Sequence, residues 1–127
     1  MYLDEYQRPL PAGTALGFGP IHEGIVAYLN GWQVILNTSL KHGRPVVSQP
    51  EEFNGEPVRL VRPLPKTWEE SMRIQQNAWN LVQAGTPWTI FNNCQDFVSL
   101  SYDGKPGSAT RKLVGAGAAV AVLLALL

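Results

Sequence analysis

The sequence predicts an α+β domain, a small antiparallel sheet with helices packed on it. Two observations carry this. Residues 14–62 hold short β-branched and aromatic runs broken by turn dipeptides, and residues 67–103 switch to helical spacing between capping residues. The 127-residue length suits one core of moderate size.

The elements follow in order. Arg8 to Gly13 is a lead-in kept extended by Pro9 and Pro11. Thr14 to Gly17 is a short strand. His22 to Leu29 is a longer one. Asn30-Gly31 then tolerates the positive φ of a type I′ turn, and Trp32 to Asn37 returns. A two-residue turn pairs Leu29 with Trp32. That puts His22 on one face with Gly24, Val26 and Tyr28, across from Gln33, Ile35, Asn37 and Ser39. Ser39 falls opposite His22, Asn37 lies diagonally within reach, and Leu36 points the other way. Residues 41–45 form a turn. Val46 to Ser48 and Val58 to Arg62 are further strands, with a turn at Asn54-Gly55.

Thr67 and Glu70 form a capping box that starts a helix running to about Ala84, with Gly85 beyond it. Trp68, Met72, Trp79, Leu81 and Val82 supply its apolar stripe, and the tryptophans are expected in the core. Residues 86–91 connect to a second helix, capped by Asn92 or Asn93. Ser101 to Ser108 carries glycine, proline and small polar residues and reads as a linker. The resulting organisation is a lead-in over 1–12, a domain over 13–103, a linker over 104–112 and a hydrophobic segment over 113–127.

Cys94 is the only cysteine, so an internal disulfide is excluded and two readings remain, an inert buried thiol and a nucleophile. At a helix start, free N–H groups and the helix dipole favour a thiolate. A strand histidine and a polar neighbour complete a set. Cys94 is the nucleophile, His22 the base, and Asn37 the residue that orients the imidazole, with His42 in reserve. The helix-start amides would form an oxyanion hole. Asp96 is turned away from the thiol as a first-turn carboxylate, where its charge mildly opposes thiolate formation. Trp88 or Tyr28 could line a cleft, although core roles explain them equally.

Three stretches resemble a known family. They are His22 to Gly31, the segment Ser48-Gln49-Pro50-Glu51-Glu52-Phe53, and the box Asn93-Cys94-Gln95-Asp96-Phe97. In this order they resemble the circularly permuted NlpC/P60 thiol enzymes, within them the lecithin retinol acyltransferase-like group. The resemblance covers roughly residues 13–103. It implies a permuted papain-like fold, with Cys94 and His22 at the nucleophile and base positions. Leu36 stands where members usually carry a second histidine, and Asp96 where the lipid acyltransferases usually carry one. The implied activity is acyl transfer or hydrolysis through a Cys94 thioester, on lipid acyl groups or peptide-type amides. The alternative is an inert, membrane-tethered binding module that keeps the fold.

Formal charge is zero, which leaves no footprint for nucleic acid. No phosphate loop, metal-ligand spacing or cofactor motif is present in the sequence, so neither metal nor cofactor is expected. Met1 to Tyr6 lacks the basic and apolar regions of a signal peptide, which suggests a cytoplasmic start. Residues 113–127 are wholly apolar behind Arg111-Lys112. Three readings compete for them: a short membrane anchor, a helix packed on the domain or a sister subunit, and a frayed end.

Overall fold

The computed structural model describes residues 10–19, 22–89 and 93–105. The lead-in up to residue 9, Asn92 and the apolar segment 113–127 lie outside the described residues.

Alternating strand residues and turn glycines produce a five-stranded antiparallel sheet. Its strands are β1 (Ala15–Phe18), β2 (His22–Leu29), β3 (Trp32–Ser39), β4 (Arg44–Ser48) and β5 (Val58–Leu60), in the order β4-β3-β2-β1-β5. Asn30 and Gly31 both have positive φ, 52° and 83°, as a type I′ turn needs. Leu29 pairs with Trp32 and Ile25 with Leu36, so the two-residue register holds.

Strand ends differ from the sequence reading. β3 runs on to Ser39, and β4 starts at Arg44 because Pro45 pairs with Thr38 from the sheet edge, where no donor is needed. β5 stops at Leu60, short of Arg62. A 3-10 turn over Pro50–Phe53 follows β4 and brings Phe53 back over the sheet.

The sheet separates two apolar layers. Ala15, Ile25, Ala27, Val34 and Leu36 face the helices, meeting Ile74, Ala78, Phe97 and Val98. Leu16, Phe18, Val26, Ile35 and Val58 form the other layer, partly covered by Leu10, Tyr28 and Phe53. Gly24 is required where β2 and β3 approach most closely. A Cβ there would stand 2.6 Å from Ile35 Cγ2 and 3.1 Å from the Leu36 carbonyl. Gly24→Ala is therefore expected to destabilise the domain by about 1–3 kcal/mol, read as a lowered denaturation midpoint.

Helix α1 (Trp68–Ala84) starts where Thr67 Oγ1 accepts from the Glu70 amide at 3.1 Å. The Glu70 carboxylate reaches one residue further back than a capping box requires, to the Lys66 amide. Gly85 ends the helix in the left-handed region. The buried line of α1 is Ser71, Ile74 and Ala78, small enough to let the helix approach the sheet. Trp79, Leu81 and Val82 flank it. Trp68 corrects the expected stripe: it sits at the first helical residue, ahead of the contact line, and is 71% exposed.

Helix α2 (Cys94–Asp103) packs on α1, β2 and β3. It takes in Ser101–Asp103, which the sequence assigned to the linker. Gly104, in the left-handed region, is the true stop.

Candidate active site

Asn93 caps α2. Its Oδ1 accepts from the Gln95 amide at 3.0 Å and from the Asp96 amide at 3.2 Å, and the Asp96 carboxylate accepts from the Asn93 amide in return. Asp96 thus serves the cap, fully buried, and does not face the thiol. The cap also takes up two of the amides that the sequence offered to an oxyanion.

His22 and Asn37 meet as the strand register requires, Nε2 to Oδ1 at 3.0 Å. Asn37 is buried, and its Nδ2 donates to the Ile35 carbonyl at 3.2 Å and to Ser48 Oγ at 3.0 Å. Those two donations fix the amide, so Oδ1 must accept from the ring. Neutral His22 then carries its proton on Nε2 and keeps Nδ1 as the basic atom. Burial lowers the His22 pKa from its ordinary value, against the hydrogen bond of Asn37 and the charge of Glu56, which raise it. The neutral imidazole therefore prevails at pH 7. Phe53 stacks on the ring, with centroids 5.5 Å apart, and Phe53 in turn stacks on Phe18 at 4.2 Å.

Cys94 stands at the first residue of α2 and is partly buried. The main-chain amides of Glu23, the residue after His22, of Cys94 and of Gln95 lie near its sulfur and favour the thiolate, the Gln95 amide also donating to Asn93 Oδ1. Strand alternation gives the His22 ring the face of Gly24 and Val26, whereas α2 covers the face of Glu23 and Ile25. Thiol and imidazole thus approach the start of β2 from its two sides.

Burial at the sulfur works against the expected resting thiolate. Burial pushes the Cys94 thiol up to about 11, and the Glu23 carboxylate adds to it, outweighing the amides. The opposing charge is that of Glu23 and not of Asp96. Between pH 9 and about 11 the folded thiol keeps a proton that the unfolded chain has lost. Stability therefore falls as pH rises through this window, by roughly 3 kcal/mol in total. Cys94→Ala is expected to remove that part of the alkaline loss in denaturation curves recorded against pH.

A cavity of about 590 Å³ opens beside His22 and Asn37, with Phe18, Phe53, Ser48 and His42 among its walls. His42 is exposed on the β3–β4 turn, its amide donating to Ser39 Oγ. Tyr28 lies at the other end of β2, with its hydroxyl on the Leu10 carbonyl. Trp88 is half-buried, and its amide donates to the Gly43 carbonyl at 2.8 Å. Sequence reasoning missed Ser48 and Phe53 as partners of the His22–Asn37 pair. Both were signalled, since Ser48 shares the inward alternation of Val46-Val47-Ser48, and Phe53 closes the Glu-Glu-Phe segment. Glu23 and Glu56 carried no such signal. Among the described residues, no group of three or more His, Cys, Asp or Glu could hold a metal ion.

Compared with known family models, curated proteins and solved structures, the chain matches none.

Proposed function

We propose that this protein is a cysteine-dependent acyl hydrolase or acyltransferase of the circularly permuted papain-like type, working through a Cys94 thioester. The observation that carries the reading is the locked His22–Asn37 pair, basic at Nδ1, with the Cys94 sulfur near the amide of the very next residue. The chain order, histidine strand before cysteine helix, supports the permuted arrangement.

The resting pair is neutral. Sγ attacks the acyl carbon while its proton passes round the end of β2 to Nδ1 of His22, directly or through one water. The amides of Cys94 and Glu23, near the sulfur, would receive the developing oxyanion. The imidazolium returns its proton to the leaving alcohol or amine, and the thioester forms. Water or an acceptor nucleophile then releases the acyl group, with His22 again as base. Ester or amide substrates fit this chemistry, lipid acyl groups and peptide-type amides alike, and residues 113–127 would hold the enzyme at a membrane.

A second reading, a tethered binding module without chemistry, is favoured by the raised Cys94 thiol. Turnover of p-nitrophenyl esters separates the two. The enzyme reading expects ester cleavage that Cys94→Ala abolishes. Cleavage equal in both proteins, or none in either, supports the module.

A further inference from the structure

The two ends of the sheet differ in character. His22, Asn37 and the start of α2 occupy one end. At the other, β2 and β3 turn at Leu29 and Trp32, which are 46% and 76% exposed. This end is about 23 Å from His22 along an eight-residue strand. Trp68, 71% exposed, shares a groove with Tyr28 of this end, and Leu64, 43% exposed, directly precedes Pro65 of the same groove. This groove of about 400 Å³ is lined by Tyr28, Leu10, Pro65, Trp68 and Met72, while Leu29 and Trp32 stand beside it on the other face of the hairpin. Large apolar side chains this exposed, gathered at one end of a small domain, mark an interaction surface.

The chain leaves the domain beside this surface. Tyr102, in the last turn of α2, donates its hydroxyl to the Pro63 carbonyl, and Arg62 pairs with Asp103 at 3.5 Å. The last described residue, Lys105, follows closely. Leu113, where the wholly apolar sequence begins, is eight residues further on, a span of at most about 28 Å. Lys66 lines the groove, and Arg111-Lys112 precede the apolar sequence. No helix among the described residues is long and apolar enough to cross a membrane. Tryptophan beside aliphatic and lysine side chains is the composition that settles at the boundary between lipid headgroups and acyl chains.

We propose that the end of the domain formed by Leu29, Trp32, Leu64 and Trp68 is a second membrane contact, which seats on a phospholipid surface alongside residues 113–127. The domain then stands upright, with the His22 cavity facing away from the bilayer, which favours soluble esters and amides over acyl groups still in the membrane among the substrates proposed above. This orientation holds whether or not Cys94 reacts.

The test uses the full chain and phosphatidylcholine vesicles containing brominated acyl chains, which quench nearby tryptophan. Wild type is expected to bind with a blue shift and strong quenching. Trp32→Ser with Trp68→Ser is expected to lower vesicle partitioning at least about tenfold and to remove most of the quenching, because each side chain withdraws roughly 150–250 Å² from water. Circular dichroism of the double variant checks that it folds, and the milder pair Trp32→Tyr and Trp68→Tyr should retain binding while losing the tryptophan signal. The proposal is overturned if the serine variant binds as tightly as wild type, since the tail then anchors alone. It is equally overturned if the full chain ignores vesicles. A blue-shifted emission without lipid, or a dimer that the serine pair dissolves, would show the surface covered by the tail or by a second copy.

Discussion

His22→Ala is expected to slow acylation of Cys94 by an activated ester about 10²–10⁴-fold, the usual weight of a positioned base. The loss should be large because the thiol starts protonated, pushed up to about 11 by burial, and cannot ionise by itself near neutral pH. The pH profile carries a second signature. Burial holds the imidazole below its ordinary value, so the neutral base is already dominant at pH 7. The wild-type rate should rise from acid pH, reach half-maximum below pH 6.5 and level off by neutrality. His22→Ala should lose this limb and follow the thiol alone, its rate climbing about tenfold per pH unit until about pH 11. Asn37→Ala should fall between the two proteins, because Nε2 loses the acceptor that fixes the tautomer. A wild-type profile that itself rises only in the alkaline range would leave His22 without a role.

Phe97→Ala is expected to cost about 3–5 kcal/mol in folding stability. Phe97 is the largest fully buried side chain among the described residues and packs in the cluster of Ile25, Leu36, Ile74 and Ala78 that joins both helices to the sheet. Its removal leaves a void that two helices and a strand would have to close together. Against a total of about 5–15 kcal/mol for a domain, that loss brings the fold near its limit. Urea denaturation would show it as a lower midpoint with an unchanged slope. A loss under about 1 kcal/mol would mean that the helices repack freely, and the placement of α2 would need revision.

The parts of the fold governed by local rules were legible in the sequence. Asn30-Gly31 set the hairpin, the hairpin set the register, and the register put Asn37 beside His22. Thr67 and the Asn92-Asn93 pair marked the helix starts through capping, and Gly85 the end of α1 through a left-handed stop, whereas the end of α2 at Gly104 was read as linker. What the sequence hid depends on three-dimensional enclosure. The helical period allowed Trp68 into the stripe, but the contact line on the sheet begins at Ser71. The helix start promised a thiolate, yet a local dipole could not reveal how deeply β2 and α2 would enclose the sulfur, nor that Glu23 would lie against it. The same cap that identified α2 also occupies the Gln95 and Asp96 amides with the Asn93 side chain. The Asn93-Cys94 box therefore located the thiol but misjudged its ionisation.

The most direct test of the central claim is the intact mass of the protein after brief exposure to a p-nitrophenyl ester, followed by mapping of the modified peptide. A Cys94 thioester should appear in wild type within one turnover, be lost on hydroxylamine treatment, be absent from Cys94→Ala, and form far more slowly in His22→Ala. An unmodified Cys94, or an adduct that forms at the same rate with and without His22, would contradict the thiol–imidazole mechanism.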